Sequence, residues 1–212
     1  MPLLALCVSS LPAMAGVLFT DLGPAGDVYN CCSGWTVSGS ASNAGLITAA
    51  NLFTVSGSGS LSVTEIDLGV TNAGGLNTFS ASIWTEVGGL PGAQVPGADW
   101  SPLSTSTVFG NCCGLVSITG ITGVTLTGGQ QYFMILSPVS NSDNSWNPWN
   151  QNNQGVTGLD LYSQDGGTTW KSNGATTLGT FDILGVPEPG SLLLFGTGLI
   201  GILGACRRKS NR

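Results

Sequence analysis

Leu61-Ser62-Val63-Thr64-Glu65-Ile66-Asp67-Leu68-Gly69-Val70 decides the fold class. Apolar and polar residues alternate with a period of two, which turns one set of side chains toward a core and the other toward water, as in a half-buried β-strand. The alternation slips once, at Glu65 and Ile66, as the extra residue of a β-bulge would make it slip. Thr78 to Trp84 alternates in the same way, and so do Leu115 to Ile121 and Val124 to Leu126. Tyr132-Phe133-Met134-Ile135-Leu136 is apolar throughout and predicts a central strand covered on both faces. Turn clusters at Gly57-Ser58-Gly59, Gly88-Gly89-Leu90-Pro91-Gly92 and Gly128-Gly129 separate these runs at the spacing of an antiparallel sandwich. No stretch of the body carries a helical period. The expectation is an all-β chain, an antiparallel β-sandwich of jelly-roll type.

The sandwich is expected to occupy residues 16–185, one domain's worth of chain. It carries ten carboxylates against Lys171 alone, a net charge of −9 within a chain of net −6. Nucleic acid is excluded as a partner on that balance, because phosphate contacts need Lys and Arg. With 42% hydrophobic residues and six Trp, the chain has the apolar content to fold.

Both ends differ from the body. Residues 3–11 form a short apolar run followed by Ala13-Met14-Ala15, the small-x-small pattern of a signal-peptidase site, so 1–15 reads as a signal peptide and Gly16 as the mature start. Met1-Pro2-Leu3 supplies no Lys or Arg, and the expectation is a true start further upstream. At the other end, Val186-Pro187-Glu188-Pro189-Gly190 leads into an apolar segment at 191–206 and then Arg207, Arg208 and Lys209. A segment of that kind reads as a marginal transmembrane helix, short of the roughly 20 residues that cross a bilayer, with the basic cluster stopping it on the cytoplasmic side.

Pro187-Glu188-Pro189, the apolar run and the basic tail, in that order, resemble the PEP-CTERM sorting signal of Gram-negative bacteria, here spanning 186–212. The resemblance implies that exosortase, a membrane-embedded cysteine peptidase, is a partner together with the inner membrane. It further implies that the chain is anchored there before processing and then passes to the cell surface or beyond, commonly in bacteria that make an exopolysaccharide matrix. The body has a resemblance of its own. Phe19-Thr20-Asp21-Leu22, Gly34-Trp35-Thr36-Val37, Ala49 to Phe53, Ile66-Asp67-Leu68-Gly69 and Gly89-Leu90-Pro91-Gly92 follow an order that looks like the choice-of-anchor domains, R type. Those are extracellular β-rich modules of unassigned activity.

Cys31-Cys32 and Cys112-Cys113 form two adjacent pairs within the body. Neighbouring Cα atoms lie about 3.8 Å apart, below the usual disulfide range, so cross-linking between the pairs is expected in an oxidising compartment. Whether Cys31 joins Cys112 or Cys113 is open at this stage. The spacing is not that of a zinc site.

Catalysis has few residues to draw on. The absence of His removes Ser-His-Asp and Cys-His arrangements and His-ligated metals. Glu65 and Asp67 share a strand face and are the carboxylate pair a glycosidase would need, but a solvated rim is the plainer reading. The expectation is a non-enzyme with a structural or interaction role, and with no cofactor.

Two segments could hold something. Ser163-Gln164-Asp165-Gly166-Gly167-Thr168-Thr169-Trp170 matches the Asp-box pattern, a hairpin whose Ser and Asp bond to the turn backbone while the Trp packs beneath. Asn141 to Gly155 places Trp146, Trp149, Asn147 and Asn150 together. Indole faces stack on pyranose rings and amides satisfy hydroxyls, so these four are the candidate exopolysaccharide-binding residues of the alternative reading, a carbohydrate-binding module. The same loop offers oxygens to Ca²⁺, though Asp143 is its only carboxylate.

Overall fold

The computed structural model describes residues 15–25 and 27–188. The signal-peptide reading, Pro189, the apolar 191–206 segment and Arg207, Arg208 and Lys209 lie outside the described residues, apart from Ala15. Within them the chain is all β, with every strand pairing antiparallel.

The strands are β1 (Gly16–Thr20), β2 (Gly34–Trp35), β3 (Thr48–Thr54), β4 (Ser60–Leu68), β5 (Thr78–Val87), β6 (Leu90–Ser104), β7 (Val116–Thr119), β8 (Thr125–Thr127), β9 (Gln131–Ser137), β10 (Trp149–Asn150), β11 (Thr157–Ser163), β12 (Lys171–Thr177) and β13 (Phe181–Pro187). One sheet runs β1-β13-β4-β7, with β8 also pairing β4. The other runs β12-β11-β3-β9-β5-β6. A two-strand ribbon, β10-β2, forms a separate ladder.

One core lies between the two sheets. Leu61, Val63, Ile66 and Leu68 of β4, with Phe181 and Ile183 of β13, meet Phe53 of β3, Phe79 and Ile83 of β5, and Met134 and Leu136 of β9. The rings of Phe19, Phe53, Phe181 and Trp149 form its aromatic part, with Phe19 stacked on Phe181 at 4.5 Å between centroids. The slip read in β4 is a bulge: the β13 register passes from Leu184 opposite Glu65 to Gly185 opposite Val63, leaving Thr64 unpaired. Without it, Ile66 and Leu68 would turn to the solvent side.

β9 is covered on both faces, as its continuous apolar run requires. Tyr132, Met134 and Leu136 enter the main core, while Phe133 and Ile135 join Ala50 and Leu161 in a second cluster on the opposite face, with Leu52, Trp84, Leu159 and Trp170 packed against it. The β5–β6 turn is tighter than the glycine-rich stretch suggests. Val87 pairs with Leu90, leaving a two-residue loop of Gly88 and Gly89, both at positive φ (63° and 82°), which side chains rarely tolerate and hairpin turns of this kind demand.

Candidate binding cleft and sorting site

Asn51 on β3 stands opposite Asp160 on β11. Both point into the interior, and both are buried. An unpaired carboxylate there would be costly, and the neighbouring strands supply amides. Asn51 Nδ2 donates to Asp160 Oδ1 at 2.6 Å, and Asn173 Nδ2 of β12 donates to Asp160 Oδ2 at 2.5 Å. Asn51 Oδ1 in turn accepts the Gly179 backbone N–H at 2.6 Å. Burial pushes the Asp160 carboxyl up to about 6, against the opposing pull of the Asn173 and Asn51 amides.

This carboxyl lines a cleft of about 320 Å³, together with Trp35, Thr36, Ile47, Tyr162 and Asn173. Trp35 reaches it from the β2 ribbon, its indole fixed by Nε1–H donation to the Thr177 carbonyl at 2.9 Å. Tyr162 arrives from β11, on the same side of the strand as Asp160. Lys171, the one basic residue of the body, lies 5.8 Å from the Tyr162 ring centre. The cleft therefore combines two aromatic rings with a carboxylate and an amide, at the small end of the roughly 300–1,000 Å³ typical of small-molecule sites. Rings of this kind can stack on apolar ligand faces, while the exposed Asn173 amide can hydrogen-bond polar groups and the buried carboxylate holds that amide in place.

Sequence reasoning did not find this cleft, because its lining comes from separate strands. Two signals pointed toward it. Asn51 interrupts an apolar strand at an inward position, and Asp160 stands between Leu159 and Leu161.

The four residues chosen for sugar contact occupy other places. Trp149, Asn147 and Asn150 are fully buried. Trp149 packs against Phe181 in the core and donates Nε1–H to the Thr180 carbonyl at 3.0 Å. Asn147 donates to the carbonyls of Leu76 and Thr78 and accepts from Asn72, and Asn150 donates to the Asn30 carbonyl and accepts from Thr71. Their amides tie loops together and present nothing to solvent. Trp146 is half-buried, with its indole nitrogen enclosed and unpartnered. Asp143 accepts from the backbone of Ser140 and Ser145 and from the Ser145 hydroxyl, closing its own turn. Among the described residues, no group of three or more His, Cys, Asp or Glu could hold a metal ion.

The Asp-box hairpin joins β11 to β12 as its pattern requires. Ser163 Oγ accepts from Gly167 N–H at 2.8 Å, and Asp165 accepts from the Thr169 N–H and hydroxyl at 2.9 and 2.6 Å. The Thr169 hydroxyl first, then the Ser163 hydroxyl, which donates to Asp165 Oδ1 at 2.7 Å, and the Thr169 N–H lower the Asp165 carboxyl to about 2. Trp170 packs against the second apolar cluster.

Glu65 and Asp67 lie on the outer face of the first sheet, and Asp67 faces Asp182 across the β4–β13 ladder. Burial chiefly, with the nearby Asp67 carboxylate, pushes Asp182 up to about 6. Asp67 also accepts from Ser117.

Cys31 and Cys112 form the disulfide, with Cα atoms 5.1 Å apart and a sequence separation of 81. Cys32 and Cys113 are free, which corrects the expectation of a bridge for each. The loop is pinned by Tyr29: its hydroxyl donates to the Gly114 carbonyl at 3.0 Å and accepts the Cys113 N–H at 3.3 Å. Cys113 itself is held at a φ of 94°, a conformation uncommon outside glycine.

Of the sorting tripeptide, Pro187 closes β13 opposite Leu61. Glu188 N–H donates to the Ser60 carbonyl at 3.2 Å, and Thr125 Oγ1 donates to Glu188 Oε1 at 2.9 Å. Among the described residues no helix is long and apolar enough to cross a membrane.

No curated protein matches the chain. One similar solved structure is that of the cysteine protease and lectin-like domains of Cwp84, a surface layer associated protein of Clostridium difficile, at 12% identity and a TM-score of 0.44. The match covers 67% of this chain and 32% of that one, so the chain spans about a third of that protein's length, and a likeness of this degree carries no argument about ligand or activity. The family comparison is specific and local: residues 185–209 match the PEP-CTERM protein-sorting motif, which marks the chain as an exported protein sorted by exosortase.

Proposed function

We propose that the chain is a surface- or matrix-associated protein with a structural or interaction role and no catalytic one, its body a jelly-roll sandwich of the choice-of-anchor kind. The supporting observation is continuity: β13 runs without a linker into the sorting motif, so wherever the motif is sent the folded body goes with it. In this reading the chain is held in the inner membrane by its apolar tail until exosortase acts, and then moves to the cell surface or the medium.

The second reading, a carbohydrate-binding module for exopolysaccharide, is favoured by the cleft rather than by the Asn-rich loop. Trp35 and Tyr162 supply faces for a sugar ring, and the exposed Asn173, held in place by Asp160, supplies an amide for its hydroxyls. A body of net charge −9 favours a neutral sugar over a uronic acid. The test is binding of the purified body to matrix polysaccharide from an exosortase-bearing bacterium. Saturable binding lost in both Trp35→Ala and Tyr162→Ala, with unfolding unchanged, supports the cleft. Binding that survives both changes places the contact elsewhere, and no binding leaves the structural role.

A further inference from the structure

The sorting motif does not begin where the fold ends. Val186 pairs with Ser62 and Pro187 with Leu61, and the next residue is tied twice, through the Glu188 N–H to Ser60 and through the Glu188 carboxylate to Thr125. Both ties lead to the same strand. Ser60 is the first residue of β4, and β8 is held to β4 by the pairs Ser62–Thr125 and Ser60–Thr127. β4 also pairs with β13 and β7, which makes it the most heavily partnered strand of its sheet. The apolar run begins only four residues beyond Glu188, at Leu192, a reach of roughly 13 Å at full extension.

We propose that the folded body restrains its own sorting motif. Glu188 is clamped by Thr125 and Ser60, and exosortase acts after the last residues of β13 come away from β4. A peptidase has to surround an extended segment, and an edge already bonded to β4 and β8 cannot be surrounded. The short reach to Leu192 leaves no free chain to offer instead. Thr125 is thus a positioning residue for sorting. It acts through Glu188 and is exposed, so its replacement does not disturb the core. The inference rests on sorting by exosortase and not on any ligand of the cleft.

The test uses the full chain in an exosortase-bearing host, with a pulse-chase reading of the rate at which membrane-bound precursor becomes mature protein. Thr125→Val removes the bond to the carboxylate, and the expected result is conversion roughly two- to fivefold faster, the effect of losing about one exposed hydrogen bond. Thr125→Ser keeps the hydroxyl and should convert at the native rate. A six-residue Gly-Ser linker inserted between Val186 and Pro187 keeps Pro187-Glu188-Pro189 and the tail in sequence and should accelerate conversion at least as much as Thr125→Val. Thermal unfolding of the Thr125→Val body should match the native body, which separates release of the motif from loss of the fold. Unchanged or slower conversion in the linker variant overturns the inference. No conversion of the native chain would overturn it together with the sorting reading.

Discussion

Asn51 and Asp160 face each other across the β3–β11 ladder, the amide of one donating to the carboxylate of the other at 2.6 Å inside the protein. The same Asn51 side chain satisfies the Gly179 N–H, so one amide serves both a carboxylate oxygen and a backbone donor. Replacing it by Leu fills the volume but removes both partners. Leaving buried polar groups unpaired costs roughly 1–3 kcal/mol each, so Asn51→Leu should destabilise the body by about 2–6 kcal/mol. Denaturant midpoints at constant m-value would check this, and a change under 1 kcal/mol would contradict it.

Stability should fall as pH rises from acid to mildly alkaline. Burial pushes Asp21 up to about 8 and Asp160 and Asp182 to about 6, from an ordinary 3.8. Each keeps its proton in the fold where the unfolded chain has lost it. Their contribution is full below about 3.8 and fades as pH rises, through about 6 for Asp160 and Asp182 and about 8 for Asp21. Asp165 has the opposite sign: its contribution is present above 3.8 and is lost as pH falls toward 2. The midpoint of thermal unfolding should therefore be higher at pH 5 than at pH 8.5. Asp21→Asn, which keeps an acceptor for the Phe181 N–H, should remove most of the decline between pH 6 and 8.5.

The strands that carry local patterns were the legible part of this chain. The alternation in β4, its slip at Glu65 and the unbroken apolar run of β9 each depend on residues close in sequence. So does the Asp-box turn, whose bonds all fall between Ser163 and Thr169. The cleft is different, since Trp35, Ala49, Asp160 and Asn173 meet only after β2, β3, β11 and β12 are placed. The Asn-rich loop misled for a related reason. Asn and Trp suit a sugar, but they suit equally well the internal bonding of an irregular segment, and Trp149 is drawn inward by Phe181. Composition does not distinguish the two uses.

Gly179 makes room for that tryptophan. A Cβ at Gly179 would lie 2.6 Å from Trp149 Cε2 and 2.7 Å from Cγ, on the rigid indole rather than at the tip of a flexible chain. Gly179→Ala should cost about 1–3 kcal/mol by overpacking. Trp149→Ala should cost about 3–5 kcal/mol by leaving a cavity. Chemical denaturation reads both. Near-native stability in Trp149→Ala would show that the ring is not in the core.

Thiol counting tests the cysteine assignment. The mature body, denatured without reductant, should titrate two thiols, Cys32 and Cys113, and four after reduction. Cys112→Ser should lower stability by about 4–5 kcal/mol, as expected for opening a loop of 81 residues. Zero thiols before reduction would indicate two bridges.

The most direct test of the account is the intact mass of the protein recovered from an exosortase-bearing cell and from the same strain without the peptidase. A surface or extracellular form truncated near Pro187 to Pro189 is expected in the first, and a membrane-bound form retaining Arg207, Arg208 and Lys209 in the second. A C-terminus that is full-length and membrane-bound in both strains would contradict it.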